Sequence, residues 1–162
     1  MALYCDTNLL IRLYVELPDS AIALQQLGQH RRRGSAKIPI TWLHQLETIN
    51  AFEQLVFLTR NGDGMRMTPE KAALAAAQFE EDLAEGHGLE STPLPAHDLI
   101  KQARQLAHRH TAKHGFRAYD VAHVATALLL GCKEFWSFDA KATLLASLEG
   151  LKVLSVQAAK TS

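Results

Sequence analysis

The sequence has only two cysteines in 162 residues, Cys5 and Cys132, and neither has a partner at metal-site spacing. A disulfide-stapled fold is therefore excluded, and two small buried thiols are predicted. No apolar run approaches the ~20 residues that span a bilayer, and the N-terminus shows no basic segment ahead of a cleavable apolar stretch. We therefore expect a cytoplasmic protein that does not associate with membranes.

The chain also lacks net charge, because 17 lysines and arginines balance 17 aspartates and glutamates. Overall charge thus gives no indication of a polyanionic partner. The distribution is uneven, however, because residues 99–119 contain five lysines or arginines, three histidines and no acid. A solvated helix face is the simplest interpretation of this basic run, but the run leads directly to Asp120.

Composition and length indicate one ordinary folded domain over residues 1–162, with 48% hydrophobic and 21% charged residues. Short apolar runs alternate with segments of helical periodicity. The predicted strands are 2–6, 36–40, 89–94, 133–138 and 151–156. The predicted helices are 6–14, 20–33, 41–58, 68–85, 95–114, 119–130 and 140–148. This alternation predicts an α/β fold, a three-layer α/β/α sandwich around a central parallel sheet.

Two acids follow predicted strands directly, at the edge where open parallel sheets carry their active sites. Asp6 ends the first strand, and Asp139 follows the strand at 133–138. Both lie at one edge of the sheet if those strands are neighbours. Two further candidates belong to helices, Glu47 within an apolar helix and Asp120 at the start of helix 119–130.

Each of these acids also has a purely structural interpretation. Asp6, Asp120 and Asp139 can cap helices, and Glu47 can pair with an unidentified lysine or arginine. Four acids at one edge, however, would raise one another's pKa unless a cation neutralised them. Oxygen ligands alone favour a hard ion such as Mg²⁺ or Mn²⁺, which assists the hydrolysis of phosphodiesters.

Three segments together resemble a known family. They are YCDTNLLIRLY, the helix ITWLHQLETINAF with its glutamate, and YDVAHVATALLLGCKEFWSFDAKATLLA. Over residues 2–156 the chain resembles the PIN-domain nucleases, and most closely the VapC-type toxins of bacterial toxin–antitoxin pairs. The last segment is the most specific, because an aspartate opening an alanine-rich helix precedes a strand that ends in Ser-x-Asp.

The resemblance implies a metal-dependent endoribonuclease, in which bound Mg²⁺ or Mn²⁺ activates water for in-line attack on RNA phosphorus. The family's four metal-binding acids correspond to Asp6, Glu47, Asp120 and Asp139. The polar positions beside them correspond to Thr7, Asn8 and Ser137. Lys113 and Arg117 of the basic run would contact the RNA backbone. The family further implies a homodimer and a small antitoxin protein as partner.

Other interpretations remain. An RNA-processing PIN nuclease outside a toxin pair fits the same residues, as does a silent PIN-like nucleic-acid-binding module whose acids persist as caps. A phosphotransfer domain of the haloacid-dehalogenase type does not fit, because Asn8 stands where that loop carries its second acid. We interpret His123 as structural, because a site with enough oxygen ligands does not need imidazole. The chain departs from the family pattern at Ala142, where larger apolar residues are common, and in the long segment 61–94.

Overall fold

The computed structural model describes residues 2–32, 34, 37–62 and 66–154. Within these ranges the strands are β1 (Leu3–Cys5), β2 (Ile38–Ile40), β3 (Leu89–Ser91), β4 (Glu134–Trp136) and β5 (Lys152–Val153). The helices are α1 (Thr7–Leu10), α2 (Ser20–Arg32), α3 (Trp42–Arg60), α4 (Pro69–Glu85), α5 (Ala96–Leu106), α6 (Ala112–His114), α7 (Ala118–Leu129) and α8 (Ala140–Leu148). Parts of the predicted elements, at residues 33, 36, 155 and 156, lie outside the described residues.

The strands pair in parallel, as the alternating pattern predicts. One sheet has the order β1-β4-β5 and the other pairs β2 with β3. Leu3 and Cys5 pack towards residues of α2, β2 and α4, whereas Tyr4 between them packs towards α5, α7 and α8. Because successive side chains of a strand point to opposite faces, this alternation covers both faces of the sheet with helices. The three-layer α/β/α prediction is therefore confirmed.

Each described element overlaps a predicted one, but the strands are shorter than predicted: 89–94 contains only β3, and 133–138 only β4. The helix predicted over 6–14 is α1 followed by a 3-10 helix, Ile11–Leu13. Two further differences lie in the later helices. α7 begins at Ala118 rather than Tyr119, so Asp120 is its third residue and Arg117 is the residue at the cap position. The predicted helix 95–114 contains a π-helical turn, Ala107–Thr111, that nothing in the sequence indicates. It ends at Gly115, whose φ of +67° is a left-handed conformation that glycine adopts without strain.

The described residues contain both cysteines and the helices α1 to α8. Both cysteines are buried and unpaired, which confirms the prediction of two free thiols. In the part of the chain that the structure describes, no helix combines the length and the apolar character that crossing a membrane requires.

Candidate functional site

The register of the central strands places Asp6 beside Ser137. Cys5 of β1 pairs with Trp136 of β4, so the residues that follow each strand are neighbours at the carboxyl edge of the sheet. The Ser137 hydroxyl donates to Asp6 Oδ2 at 2.5 Å, and Asp6 Oδ1 accepts the amide hydrogen of Leu9 at 3.0 Å. Asp6 is thus the N-cap of α1, and its carboxylate is almost fully buried at 4% exposure.

Asp139 is connected to the same serine. Its amide donates to Ser137 Oγ at 2.8 Å, so one hydroxyl links the residues that follow β1 and β4. Asp139 caps α8 by accepting the amides of Lys141 and Ala142 at its Oδ1 atom. The cap interpretation therefore holds for both Asp6 and Asp139, and it leaves Asp139 Oδ2 to interact with other groups.

Arg117 lies between Asp139 and Asp120. Its guanidinium is 2.9 Å from Asp139 Oδ2 and 3.5 Å from Asp120 Oδ2, and the Asp120 carboxylate also accepts the Arg117 amide at 2.9 Å. The arginine side chain is 72% exposed, so these ion pairs are formed at the rim. Arg117 therefore neutralises two of the four acids from within the chain.

Glu47 has no lysine or arginine partner among the described residues, contrary to its structural interpretation. Its Oε2 atom accepts hydrogen bonds from the Thr7 hydroxyl, at 2.8 Å, and from His123 Nε2. Helix α3 supplies the glutamate, α1 the threonine and α7 the histidine. The interaction with Glu47 gives His123 a place in the site that sequence reasoning did not assign to it.

These side chains surround one small cleft of about 200 Å³. Its lining residues are Asp6, Thr7, Asn8, Glu47, Arg117, Tyr119, Asp120, His123, Asp139 and Ala142. The cleft thus brings the four predicted acids together with Thr7, Asn8 and Arg117. Ser137, the third predicted polar residue, hydrogen-bonds to Asp6 and Asp139. Lys113 is exposed on α6 and is not part of this lining.

Asp6 and Glu47 differ in electrostatics. Burial raises the pKa of Asp6, and the nearby Asp139 adds to this effect, while His123, Ser137 and the Leu9 amide oppose it. Burial also acts to raise the pKa of Glu47, but its interactions with His123 and Thr7 outweigh that effect, and the net shift is downward. Of these two acids, Asp6 is therefore the one whose negative charge the chain itself compensates less.

The donor set suits a hard divalent cation in its chemistry. It offers carboxylate and hydroxyl oxygens, and no lysine or arginine among the described residues pairs with Asp6 or Glu47. A buried carboxylate without a cation is costly, and Mg²⁺ or Mn²⁺ would neutralise it through oxygen ligands. Over the described ranges, no three His, Cys, Asp or Glu side chains already stand together as a ligand group. The residue types thus fit such an ion. In the structure, the carboxylates of Asp6 and Glu47 accept hydrogen bonds from other groups of the protein.

Besides the contact of His123 with Glu47, sequence reasoning missed two contributors to the site. Tyr4, whose hydroxyl is 2.7 Å from His123 Nδ1, belongs to an apolar strand and gives no polar signal. Arg12 holds the Asn8 side chain at 2.7 Å and lies 4.8 Å from the Phe138 ring centroid. Its position four residues after Asn8, on the same helical face, is a signal that could have identified it.

Residues 3–148 match the family model of the PIN domain. Among solved structures, the chain is similar to VapC20 of Mycobacterium tuberculosis, whose crystal structure is described as that of a sarcin-ricin loop cleaving toxin. The two chains are 17% identical, and the match covers 93% of this chain and 96% of that one with a TM-score of 0.60. A likeness at this identity reflects the fold they share. No curated protein gives a significant match to the sequence.

Proposed function

The chain belongs to the PIN-domain family, and from that premise we propose that it is an endoribonuclease that hydrolyses RNA phosphodiester bonds with bound Mg²⁺ or Mn²⁺. The observation that carries the proposal is the convergence of Asp6, Glu47, Asp120 and Asp139 on one cleft at the carboxyl edge of the sheet. Such a carboxylate set matches the chemistry of metal-assisted phosphodiester hydrolysis.

In this proposal the four acids hold the metal and its water. A bound Mg²⁺ or Mn²⁺ would lower the pKa of a water molecule and stabilise the charge that develops on the phosphate. Ser137 fixes the Asp6 carboxylate, and Thr7 fixes Glu47, so both acids enter the reaction with little freedom to rotate. Asn8 is held by Arg12 at the cleft wall, where its amide can contact the substrate.

The cleft rim carries groups suited to RNA itself. The guanidinium of Arg117 is exposed, and it can release Asp139 and pair with an RNA phosphate instead. Tyr119 lines the same cleft and is 59% exposed, so its ring is available to stack on a base. These two residues flank Ala118 at the start of α7, which places a phosphate contact and a stacking surface next to Asp120.

We further propose that the protein is the toxin of a VapBC-type pair, acting in the cytoplasm as a homodimer that a small antitoxin inhibits. The support is the resemblance of its motifs to VapC-type toxins, together with the fold that it shares with VapC20. A small open reading frame directly upstream that encodes a DNA-binding antitoxin would support the toxin role. A gene neighbourhood without one would favour an RNA-processing nuclease.

Cleavage of labelled RNA with added Mn²⁺ tests the proposed activity. The substrates are an oligonucleotide with the sarcin-ricin loop sequence and an unstructured RNA of equal length. We expect cleavage of at least one of them that is abolished by a chelator and restored by excess Mn²⁺. Binding of both RNAs without cleavage at any metal concentration would instead indicate a silent binding module.

Lys113 and Arg117 are expected to contribute differently to RNA binding. Replacing exposed Lys113 with alanine should weaken binding and reduce the slope of log affinity against log salt by about 0.7 if it contacts one phosphate of a single strand. The rate on bound RNA should stay unchanged, because Lys113 is not part of the cleft lining. Arg117→Ala should reduce both binding and rate, because Arg117 lines the cleft and its guanidinium is the group proposed to contact the RNA phosphate next to Asp120.

The salt dependence is measured by fluorescence anisotropy with the labelled RNA in the absence of cleavage. Lys71→Ala, at an exposed position of helix α4, is the control for loss of one positive charge elsewhere on the surface. Equal salt slopes for Lys113→Ala, Lys71→Ala and the parent would indicate that the basic run is a solvated helix face that does not contact RNA.

A further inference from the structure

A buried chain of hydrogen bonds leads from strand β1 to Glu47. The Tyr4 hydroxyl and His123 Nδ1 are 2.7 Å apart, and His123 Nε2 contacts Glu47 Oε2. Tyr4 is fully buried and His123 is 5% exposed, so water does not compete for these contacts. Three side chains from β1, α7 and α3 are thereby joined in one line that ends at the cleft.

The direction of the hydrogen bonds follows from the chemistry of the two groups that flank His123, Tyr4 and Glu47. Burial raises the pKa of Tyr4 well above its usual value, so the phenol keeps its hydrogen. The Glu47 carboxylate can only accept, so the imidazole hydrogen lies on Nε2, and Nδ1 of the neutral imidazole is then the acceptor to which the phenol donates. Nε2 then donates to the Glu47 carboxylate, the arrangement that favours a negatively charged acid.

The tyrosine itself is held rigidly. Its ring stacks on Phe135, with centroids 5.5 Å apart and planes 10° apart, and lies 4.9 Å from the ring of His44. His44 is fixed in turn by the Cys5 carbonyl at 3.0 Å and the Thr41 hydroxyl at 3.0 Å. A fixed tyrosine holds the imidazole at one angle, and the imidazole holds the glutamate.

Both donors to Glu47 act on the same oxygen atom. Thr7 and His123 each bond to Oε2, and no hydrogen bond among the described residues uses Oε1. Two donors on one oxygen stop the carboxylate from rotating about its terminal bond. Oε1 is then the oxygen that a ligand in the cleft can use.

We propose that His123, oriented by Tyr4, is a positioning residue that fixes Glu47 through Oε2 and so reserves Oε1 for the metal or its water. This rests on the proposed function, because it assigns a role within the same cleft. This positioning role differs from the sequence interpretation, in which His123 is a structural residue. Removal of a residue that orients a metal-binding acid in this way typically lowers metal affinity or activity by about 10- to 100-fold.

The tautomer of His123 is the first test, and it needs neither metal nor RNA. Long-range nitrogen–proton correlation spectra of the metal-free protein at mildly alkaline pH should show the imidazole hydrogen of His123 on Nε2. Tyr4→Phe removes only the hydroxyl and should move this signal towards a mixture of tautomers. A hydrogen on Nδ1 in the parent protein would overturn the proposal.

Substitution of His123 is the second test, with leucine and glutamine as a matched pair. Leucine removes the donor, whereas glutamine places an amide hydrogen near the position of Nε2. We expect His123→Leu to lower kcat and Mn²⁺ affinity at least tenfold with little change in KM for RNA, and glutamine to recover part of both. The melting temperature of each metal-free variant is recorded, because a purely structural histidine would affect activity only in step with stability.

The outcomes separate this proposal from the proposed function. If the parent cleaves RNA and His123→Leu retains its kcat and Mn²⁺ affinity, the positioning role is wrong and the nuclease proposal stands. Equal losses for leucine and glutamine would also contradict it. If the parent does not cleave RNA, the nuclease proposal is wrong, and the tautomer and the Mn²⁺ affinities still decide whether His123 orients Glu47.

Discussion

Asp120→Asn is expected to reduce RNA cleavage in saturating Mn²⁺ by about two to three orders of magnitude, the range typical for loss of one group that stabilises charge in a transition state. The reason is a change of charge with little change of shape. Asp120 accepts the Arg117 amide at the start of α7, and the asparagine side-chain oxygen can accept the same hydrogen bond. What is lost is the negative charge that a hard cation requires.

A matched control variant exists in the same fold. Asp98 is the third residue of α5, as Asp120 is of α7, but its side chain is 56% exposed and it does not line the cleft. Asp98→Asn therefore reproduces the loss of an acid near a helix N-terminus, which costs about 0.3–1 kcal/mol. Both variants should remain folded. If Asp120→Asn keeps most of the parent's activity, as Asp98→Asn should, then Asp120 only stabilises its helix and the four-acid site is wrong.

Mn²⁺ is expected to raise the melting temperature of the parent and to leave that of Asp6→Asn nearly unchanged. A ligand that binds only the native state at a hundredfold excess over Kd adds about 2.7 kcal/mol. For a chain of this length, that energy corresponds to roughly 5–10 °C. A chelator should reverse the shift, and Asp98→Asn should show the full shift of the parent.

Without metal, Asp6→Asn is expected to be more stable than the parent at neutral pH. Burial raises the pKa of Asp6 in the folded chain, so ionisation of this acid is less favourable there than in the unfolded chain. The parent therefore loses stability as the pH rises from below the unfolded value of about 3.9 through the raised folded value. The stability advantage of Asp6→Asn should be complete at pH values above the raised folded pKa and should vanish at pH values below the unfolded pKa.

Chemical denaturation of both proteins across this pH range, in chelator, measures the difference. The asparagine keeps the cap on Leu9 and a polar contact with Ser137, so the comparison isolates the charge. A variant less stable than the parent at neutral pH would mean that the Asp6 charge is compensated by the fold, which would remove the main reason to place a cation beside it.

The sheet and its acidic edge could be predicted because they depend on local pattern. An apolar strand that ends in Asp6, and another followed by Asp139, place two acids at one edge once the strands are parallel. Both acids cap the helices that follow, so the cap and the cleft interpretations apply together for these residues. Their role as metal ligands remains a prediction.

The partners of the acids could not be predicted because they depend on how distant elements pack. Glu47 and His123 lie 76 positions apart, and Tyr4 and His123 lie 119 apart, so no periodicity connects them. Arg117 belongs to a basic run that suggested RNA contact, yet its guanidinium pairs with Asp139 across the cleft. The structural alternative for Asp120, a helix cap, is wrong because Arg117 occupies the cap position, where arginine is an unusual residue.

In the proposed reaction, the four-acid cleft hydrolyses RNA with water as the nucleophile. The most direct test is to cleave the labelled RNA with Mn²⁺ in heavy-oxygen water and to analyse the product ends by mass spectrometry. We expect one heavy oxygen atom in the terminal phosphate of the product that carries the phosphate, none in the product that ends in a hydroxyl, no cyclic phosphate, and strongly reduced cleavage by Asp120→Asn. Products that end in a 2′,3′-cyclic phosphate, or equal cleavage by Asp120→Asn, would contradict it.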